Sequence, residues 1–296
     1  MSSSIIKGWV TAARPKTLPA ALGPILPGAA LAWSMNSFKL LPAIAALSAA
    51  LLLQIAVNVA NDYFDFIHGI DTPDRVGPTR AAAGGLLSLK QMRIGMVLIT
   101  FLILTIGAYL IYIAGLPILF IGLASVISVY LYSSGPFPLS TNALGDLFVF
   151  IFFGPAAVCG TYYVQTLSLN LEIILYSVSI GLLITAIIVV NNYRDIKTDT
   201  AGGKKTLAVF LGKRLTRVEY SLLVIIAYLI PPTLVFYKIV SPWILLSLIT
   251  IPLWIPLFRD MYGRASGQAL NKTLAGTAKA GFLFSVLLSL GIFLSV

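Results

Sequence analysis

Asn61-Asp62-Tyr63-Phe64-Asp65 follows directly on an apolar run, and Asn191-Asn192-Tyr193-Arg194-Asp195 follows on another, 130 positions later. Both stretches read Asn-(Asp/Asn)-Tyr-x-Asp. Asp71 and Asp74 extend the first, and Asp199 extends the second. The chain has ten acidic residues, and six of them (Asp62, Asp65, Asp71, Asp74, Asp195 and Asp199) fall here. Carboxylates concentrated at the ends of apolar helices are costly to desolvate unless an opposite charge offsets them. A divalent cation is the usual solution.

The rest of the chain sets the surroundings of these acids. Of its 296 residues 58% are hydrophobic and 10% charged, with a mean hydropathy of +0.96. A soluble domain carries about 25% charged residues, so the composition predicts an all-α, polytopic membrane protein in contact with the lipid bilayer. Prolines 15, 19, 24 and 27 break the first apolar stretch. They predict an irregular first membrane helix and not a cleavable signal peptide. The single cysteine, Cys159, lies in an apolar run and reads as a packing residue.

Apolar windows place nine membrane helices near 17–35, 40–60, 94–113, 116–133, 143–163, 171–190, 219–237, 241–258 and 274–295. They form one integral membrane domain over 1–296. With the N-terminus in the cytoplasm, all of the 20 Lys and Arg residues except Lys39 and Lys238 fall on the cytoplasmic side. This asymmetry fixes the expected orientation and explains the net charge of +10 without nucleic acid. The expected location is a bacterial cytoplasmic (inner) membrane. The acidic clusters follow the second and sixth helices, so both face the cytoplasm. This arrangement predicts a parallel internal repeat, each half giving one acidic helix end to a shared cavity. The first motif spans 58–80 and the second 191–209.

Asp62 and Asp65 are three residues apart, and Asp195 and Asp199 are four apart, so each pair shares a helix face. The two faces, with the amide of Asn61, make an all-oxygen donor set suited to Mg²⁺ or Mn²⁺. Mg²⁺ prefers to share its coordination with substrate phosphates. The cations that follow each motif, Arg75, Arg80, Lys204 and Lys205, are placed to neutralise outer phosphate oxygens. Polyprenyl diphosphate suits such a site, with its head at the helix ends and its tail among the helices. Metal and cations stabilise the departing diphosphate, and a water-poor cavity protects the allylic cation. Tyr63, Phe64, Tyr130 and Tyr193 are candidates for cation–π stabilisation. Half-buried acids and a repeat also suit a secondary transporter. Transporter sites sit near the midplane, however, and these acids lie beside basic loops.

The paired motifs, Asn61-Asp62-x-x-Asp65 and Asp195-x-x-x-Asp199, resemble those of the UbiA-type intramembrane prenyltransferases. Within that family several stretches resemble the 1,4-dihydroxy-2-naphthoate polyprenyltransferase branch. They are Ala13-Arg14-Pro15-Lys16-Thr17-Leu18, Gly69-Ile70-Asp71, Arg75-Val76-Gly77-Pro78, the 132–138 stretch with Gly145-Asp146, and Lys205-Thr206-Leu207-Ala208-Val209. Many members have an aspartate four residues after the Asp65 position, where this chain has Gly69 and then Asp71. The resemblance implies nine helices and an Mg²⁺-dependent enzyme. It would join a polyprenyl or phytyl group to 1,4-dihydroxy-2-naphthoate with loss of CO₂ and diphosphate, a step of menaquinone or phylloquinone biosynthesis. Other acceptors in the family are 4-hydroxybenzoate, homogentisate, chlorophyllide and haem.

Asp62, Asp65, Asp195 and Asp199 are the candidate catalytic residues, and with Asn61 the candidate metal ligands. Arg14, Lys16, Asp71 and Asp146 are candidate acceptor contacts. For Arg14 and Lys16 lipid headgroups are the competing partners, for Asp71 a turn-forming role, and for Asp146 a helix-to-helix hydrogen bond. His68 is read as an acid/base or as a bystander.

Overall fold

The computed structural model describes residues 2–69, 80–135, 137–263 and 265–295. Among these the chain is helical, with one isolated bridge between Asn142 and Lys205 and no strand. Helix α1 (Ser2–Ala13) is followed by a 3₁₀ turn, then α2 (Leu18–Ser34), α3 (Leu40–Ile67), α4 (Leu89–Ala114) and α5 (Leu116–Leu131). Next come α6 (Gly145–Ile151), a π-helical segment (Phe152–Cys159) and α7 (Gly160–Thr166), which together make one apolar span. Then follow α8 (Leu171–Ala201), α9 (Leu207–Phe236), a 3₁₀ segment (Pro242–Thr250) running into α10 (Ile251–Tyr262), and α11 (Leu270–Phe293).

Among the described residues, seven helices are long and apolar enough to cross a membrane. The two shorter ones, α2 of 17 residues and α5 of 16, occupy the first and fourth expected positions. The chain is a multi-pass integral membrane protein. Helix α1 was not among the expected elements. It packs by close approach, with Trp9 against Gly95 and Gly8 against Leu86 and Leu87.

The expected spans were too short at one end. Helices α3 and α8 have 28 and 31 residues. At 1.5 Å per residue they are about 42 and 46 Å long, against a hydrocarbon core of about 30 Å. The acidic motifs therefore lie inside the last turns of α3 and α8 and not after them. Helix α9 likewise starts a dozen residues earlier than expected, with a break at Gly212 (φ 67°, ψ 173°).

Helix α8 is the most deeply buried of the long helices. The π-helical segment lies on it almost backbone to backbone: a Cβ at Gly154 would stand 2.7 Å from the Ser177 carbonyl oxygen. Pro155 cannot donate a helical hydrogen bond, and it lies inside this π-helical stretch. A Cβ at Gly28 would stand 2.7 Å from the Val158 carbonyl oxygen, so α2 is pressed against the same segment. Small residues at helix crossings allow this packing within a bilayer.

Candidate active site

Helix α3 presents Gln54, Asn58, Asn61 and Asp65 along one face, spaced four, three and four residues apart. Helix α8 presents Asn191, Asn192, Asp195 and Asp199. Both faces line one cavity of about 960 Å³, which continues from these polar ends down among apolar side chains of α2 to α8. The two motifs therefore meet at one end of one space, as the proposed repeat requires.

Each cavity-facing carboxylate has a cation beside it. Arg80 Nη2 is 2.5 Å from Asp65 Oδ2, with both side chains under 10% exposed. Arg194 forks onto its neighbour Asp195, Nε to Oδ1 at 2.8 Å and Nη2 to Oδ2 at 2.6 Å. The same guanidinium donates to Asn191 Oδ1 at 2.9 Å and, across to α11, to Asn271 Oδ1 at 2.7 Å. Lys204 Nζ lies 3.9 Å from Asp199 Oδ1. Asn61 Oδ1 accepts from the Ser133 hydroxyl. Arg194 had not been singled out in the sequence, although an arginine within the second motif is itself a signal.

Asp62 is placed differently from its expected role. It is 1% exposed and does not line the cavity. Its Oδ2 accepts from the Ala81 amide at 2.8 Å and its Oδ1 from the Ala82 amide at 3.3 Å. One residue along a helix turns the side chain by about 100°, away from the Asn61–Asp65 face. Asp62 ties the segment that begins at Arg80 to α3.

The aromatic expectation is corrected for the same reason. Tyr63 accepts from Arg93 (3.0 Å), Tyr193 from Arg217 (2.9 Å), and Tyr130 is paired with Thr100. None of these, nor Phe64, lines the cavity. Tyr132, Phe148, Phe152 and Phe153 do. The sequence signal for them is weak, because phenylalanine is common in any apolar span.

Among the remaining candidates, Arg14, His68 and Lys204 line the cavity, while Lys16 is exposed and does not. His68 stacks on Phe64 with ring centroids 6.3 Å apart. The Lys205 amide bonds the Thr141 carbonyl at 2.9 Å, and its side chain is not part of the cavity wall. Asp146 is buried outside the wall, and its Oδ2 has no hydrogen-bond partner. The positions of Asp71, Asp74 and Arg75 lie outside the described residues.

About one and two turns along α3 from Asn61, Asn58 and Gln54 form a second polar group in the cavity wall. Asn58 Nδ2 donates to the Ala13 carbonyl (3.0 Å) and to Thr17 Oγ1 (2.9 Å). Gln54 Nε2 is within 3.4 Å of Thr17 Oγ1 and of Asn58 Oδ1. Gln54 is 8% exposed, and its Oε1 has no hydrogen-bond partner.

Among the described residues, no three His, Cys, Asp or Glu side chains stand together as a preformed metal-holding group. The donors that do face the cavity, the carboxylates of Asp65, Asp195 and Asp199 and the amide oxygen of Asn61, are all oxygen. They fit a hard divalent cation that completes its shell with water and ligand oxygens. Asp62 is not among them: it does not line the cavity, and each of its oxygens accepts a backbone amide.

The fold and site define a polytopic membrane protein with acids, amides and cations gathered on the wall of an otherwise apolar cavity. The description of the UbiA prenyltransferase family matches residues 21–290, and the chain belongs to that family. It is 36% identical, over 98% of its length and 96% of the relative's, to 1,4-dihydroxy-2-naphthoate octaprenyltransferase of Escherichia coli (strain K12). The apo structure of a UbiA homolog from Aeropyrum pernix K1 superposes with a TM-score of 0.71 at 17% identity, covering 95% of this chain and 98% of that one. A UbiA homolog from Archaeoglobus fulgidus bound to DMAPP and Mg²⁺ gives 0.68 at 14% identity, covering 97% and 99%.

Proposed function

We propose that this chain transfers a polyprenyl group from its diphosphate to 1,4-dihydroxy-2-naphthoate, with release of diphosphate and CO₂. The observation that carries the reading is the convergence of Asn61, Asp65, Asp195 and Asp199, with Arg80 and Lys204, on the polar end of one apolar cavity. The naphthoate acceptor is supported by the near full-length similarity to an enzyme named for it. A phytyl donor is the near variant.

Asn61 and Asp65 on α3, and Asp195 and Asp199 on α8, would hold divalent cations, Mg²⁺ by the donor set and Mn²⁺ by the same chemistry, which would supply positive charge to the departing diphosphate. Arg80 and Lys204 neutralise its outer oxygens. The allylic C–O bond breaks with its electron pair going to diphosphate. Tyr132, Phe148 and Phe152 face the space in which the allylic cation forms, and their rings stabilise positive charge. Arg14 meets the acceptor carboxylate, and Gln54 Oε1, buried without a partner, accepts a hydrogen bond from an acceptor hydroxyl and orients the ring. The acceptor ring carbon supplies the electron pair of the new C–C bond, and the carboxylate leaves as CO₂. The skew of basic residues supports a site on the cytoplasmic side of a bacterial cytoplasmic membrane.

The test is direct. Purified protein in lipid nanodiscs is given polyprenyl diphosphate, 1,4-dihydroxy-2-naphthoate and Mg²⁺. Mass spectrometry should find a prenylated, decarboxylated naphthoquinol, with CO₂ released in equal amount. Turnover of 4-hydroxybenzoate or homogentisate in place of the naphthoate would overturn the acceptor assignment.

A further inference from the structure

Partners fix which way round a side-chain amide stands, and for the polar group on α3 two backbone carbonyls fix it. The Ala13 carbonyl only accepts, so Asn58 presents Nδ2 to it at 3.0 Å. The Arg14 carbonyl takes the hydrogen of the Thr17 hydroxyl at 2.9 Å. Thr17 Oγ1 is left to accept, and it accepts from Asn58 Nδ2 at 2.9 Å. Asn58 Oδ1 is thereby turned to Gln54 and accepts from Nε2 at 3.4 Å, the same nitrogen being 3.4 Å from Thr17 Oγ1. The three side chains own five polar hydrogens, and these five bonds use them all. One acceptor is left over at the far end of the chain of bonds, Gln54 Oε1.

Reversal of this direction is costly. Turning the Gln54 amide over would set Oε1 against Asn58 Oδ1 and Thr17 Oγ1 with no hydrogen between them, and a buried polar group left unpaired loses more than a formed bond gains. The turn that sets the direction is itself constrained, with Arg14 at φ 51° and its carbonyl also accepting the Thr17 amide at 2.9 Å. Thr17, Gln54 and Asn58 all line the cavity. The lining neighbours Ala20 and Ala21 on α2 and Leu53 and Val57 on α3 have apolar side chains and offer Oε1 no donor. A donor brought by the ligand completes the group.

Resting on the reading of the chain as a naphthoate prenyltransferase, we propose that Gln54 selects the acceptor by the hydrogen of one hydroxyl, with Asn58 and Thr17 as the positioning residues that fix the direction of its amide. The site takes a phenolic O–H. It rejects an ether oxygen or a quinone carbonyl at the same place, which would set lone pair against lone pair. In 1,4-dihydroxy-2-naphthoate the 1-hydroxyl is engaged by the neighbouring carboxylate, so the 4-hydroxyl is the free donor. Gln54 therefore reads the reduced, unalkylated 4-position, and the reaction that supplies the acceptor must deliver it as the hydroquinone.

Three ligands are compared by calorimetry in nanodiscs, with Mg²⁺ and inorganic diphosphate present and no prenyl donor. They are 1,4-dihydroxy-2-naphthoate, 1-hydroxy-2-naphthoate and 1-hydroxy-4-methoxy-2-naphthoate. Wild type should bind the dihydroxy acid at least about tenfold more tightly than either analogue, as a site built to pair a hydroxyl does. The 1-hydroxy acid is the smaller ligand, so its loss is not one of size. Gln54→Met removes the acceptor and should bring the 1-hydroxy acid within about twofold of the dihydroxy acid. Asn58→Leu releases the amide to turn, so the methoxy analogue should gain on the dihydroxy acid. A merely structural role for Asn58 would not move this ratio, because both ligands are read on the same folded protein. Equal wild-type affinity for the three, or the wild-type preference kept in Gln54→Met, would overturn the proposal. Gln54→Leu takes its place if Gln54→Met does not fold. Transfer to 4-hydroxybenzoate in place of the naphthoate would refute the acceptor assignment, and 4-hydroxybenzoate against 4-methoxybenzoate then judges Gln54 by the same rule.

Discussion

Asp65 and Arg80 form a buried ion pair, Nη2 to Oδ2 at 2.5 Å, in which one partner faces the metal and the other the diphosphate in the proposed reaction. Removing one member of a buried pair leaves an uncompensated charge and costs about 3–5 kcal/mol. Arg80→Met should therefore lower both stability and donor affinity. The double variant Arg80→Met/Asp65→Asn should recover most of the stability and none of the turnover. Thermal midpoints and donor dissociation constants from calorimetry, arranged as a double-mutant cycle, check this. Additive losses of stability would refute the coupling.

Asp62 and Asp65 should separate by phenotype. Asp62→Ala removes two charge-assisted hydrogen bonds to the Ala81 and Ala82 amides. Bonds of this kind contribute about 1.5–3 kcal/mol each. The variant should lose stability and donor affinity because Arg80 begins the segment that Asp62 holds. Its Mg²⁺ concentration for half-maximal activity should stay near the wild-type value. Asp65→Ala should shift that concentration strongly or abolish turnover. A matching Mg²⁺ shift in Asp62→Ala would restore Asp62 as a ligand.

The absence of a preformed cluster of three acids among the described residues has a consequence for metal binding. The cation needs diphosphate oxygens to complete its shell, so metal and donor should bind each other's complex. Chelation should abolish transfer, and Mg²⁺ should restore it. The Mg²⁺ dissociation constant measured by calorimetry should fall at least about tenfold, by roughly 1.4 kcal/mol, when inorganic diphosphate is present. Equal affinity with and without diphosphate would mean that the protein alone forms the metal site.

The sequence carried the membrane fold almost completely, because a low charge content and long apolar runs leave few alternatives in lipid. Of its candidate site residues, Asn61, Asp65, Asp195, Asp199, Arg80 and Lys204 each line the cavity. Side-chain direction was less legible. Asp62 and Tyr63 are one and two residues beyond Asn61, and their positions in the motif say nothing of the 100° and 200° turns that carry them off its face.

Arg194 is predicted to act by holding the second motif in place. Its planar fork joins Asp195 to Asn191 on α8 and to Asn271 on α11. Lysine keeps the charge and loses the fork. Arg194→Lys should reduce turnover by about tenfold or more through a misplaced Asp195, on the scale at which small displacements of a positioned group act. Asn271→Ala, which removes the anchor on α11 and leaves the pair with Asp195, should cost less. A purely structural role would lower the thermal midpoint and leave the Mg²⁺ dependence of the folded fraction unchanged. A positioning role should raise the Mg²⁺ concentration needed for half activity in Arg194→Lys more than in Asn271→Ala.

Gly154 offers a test of the close packing between the π-helical segment and α8. A Cβ there would meet the Ser177 carbonyl at 2.7 Å and Gly181 Cα at 2.9 Å, both backbone atoms that cannot rotate aside. Gly154→Ala should destabilise by about 1–3 kcal/mol, the range for overpacking a well-filled site. Gly160→Ala, six residues further along the same span and with nothing within 4 Å of its Cβ, should be near neutral in stability. Denaturation of the two variants in the same detergent compares them directly. Phe152 and Phe153 of the π-helical segment line the cavity, so Gly154→Ala should also lower turnover beyond its loss of stability.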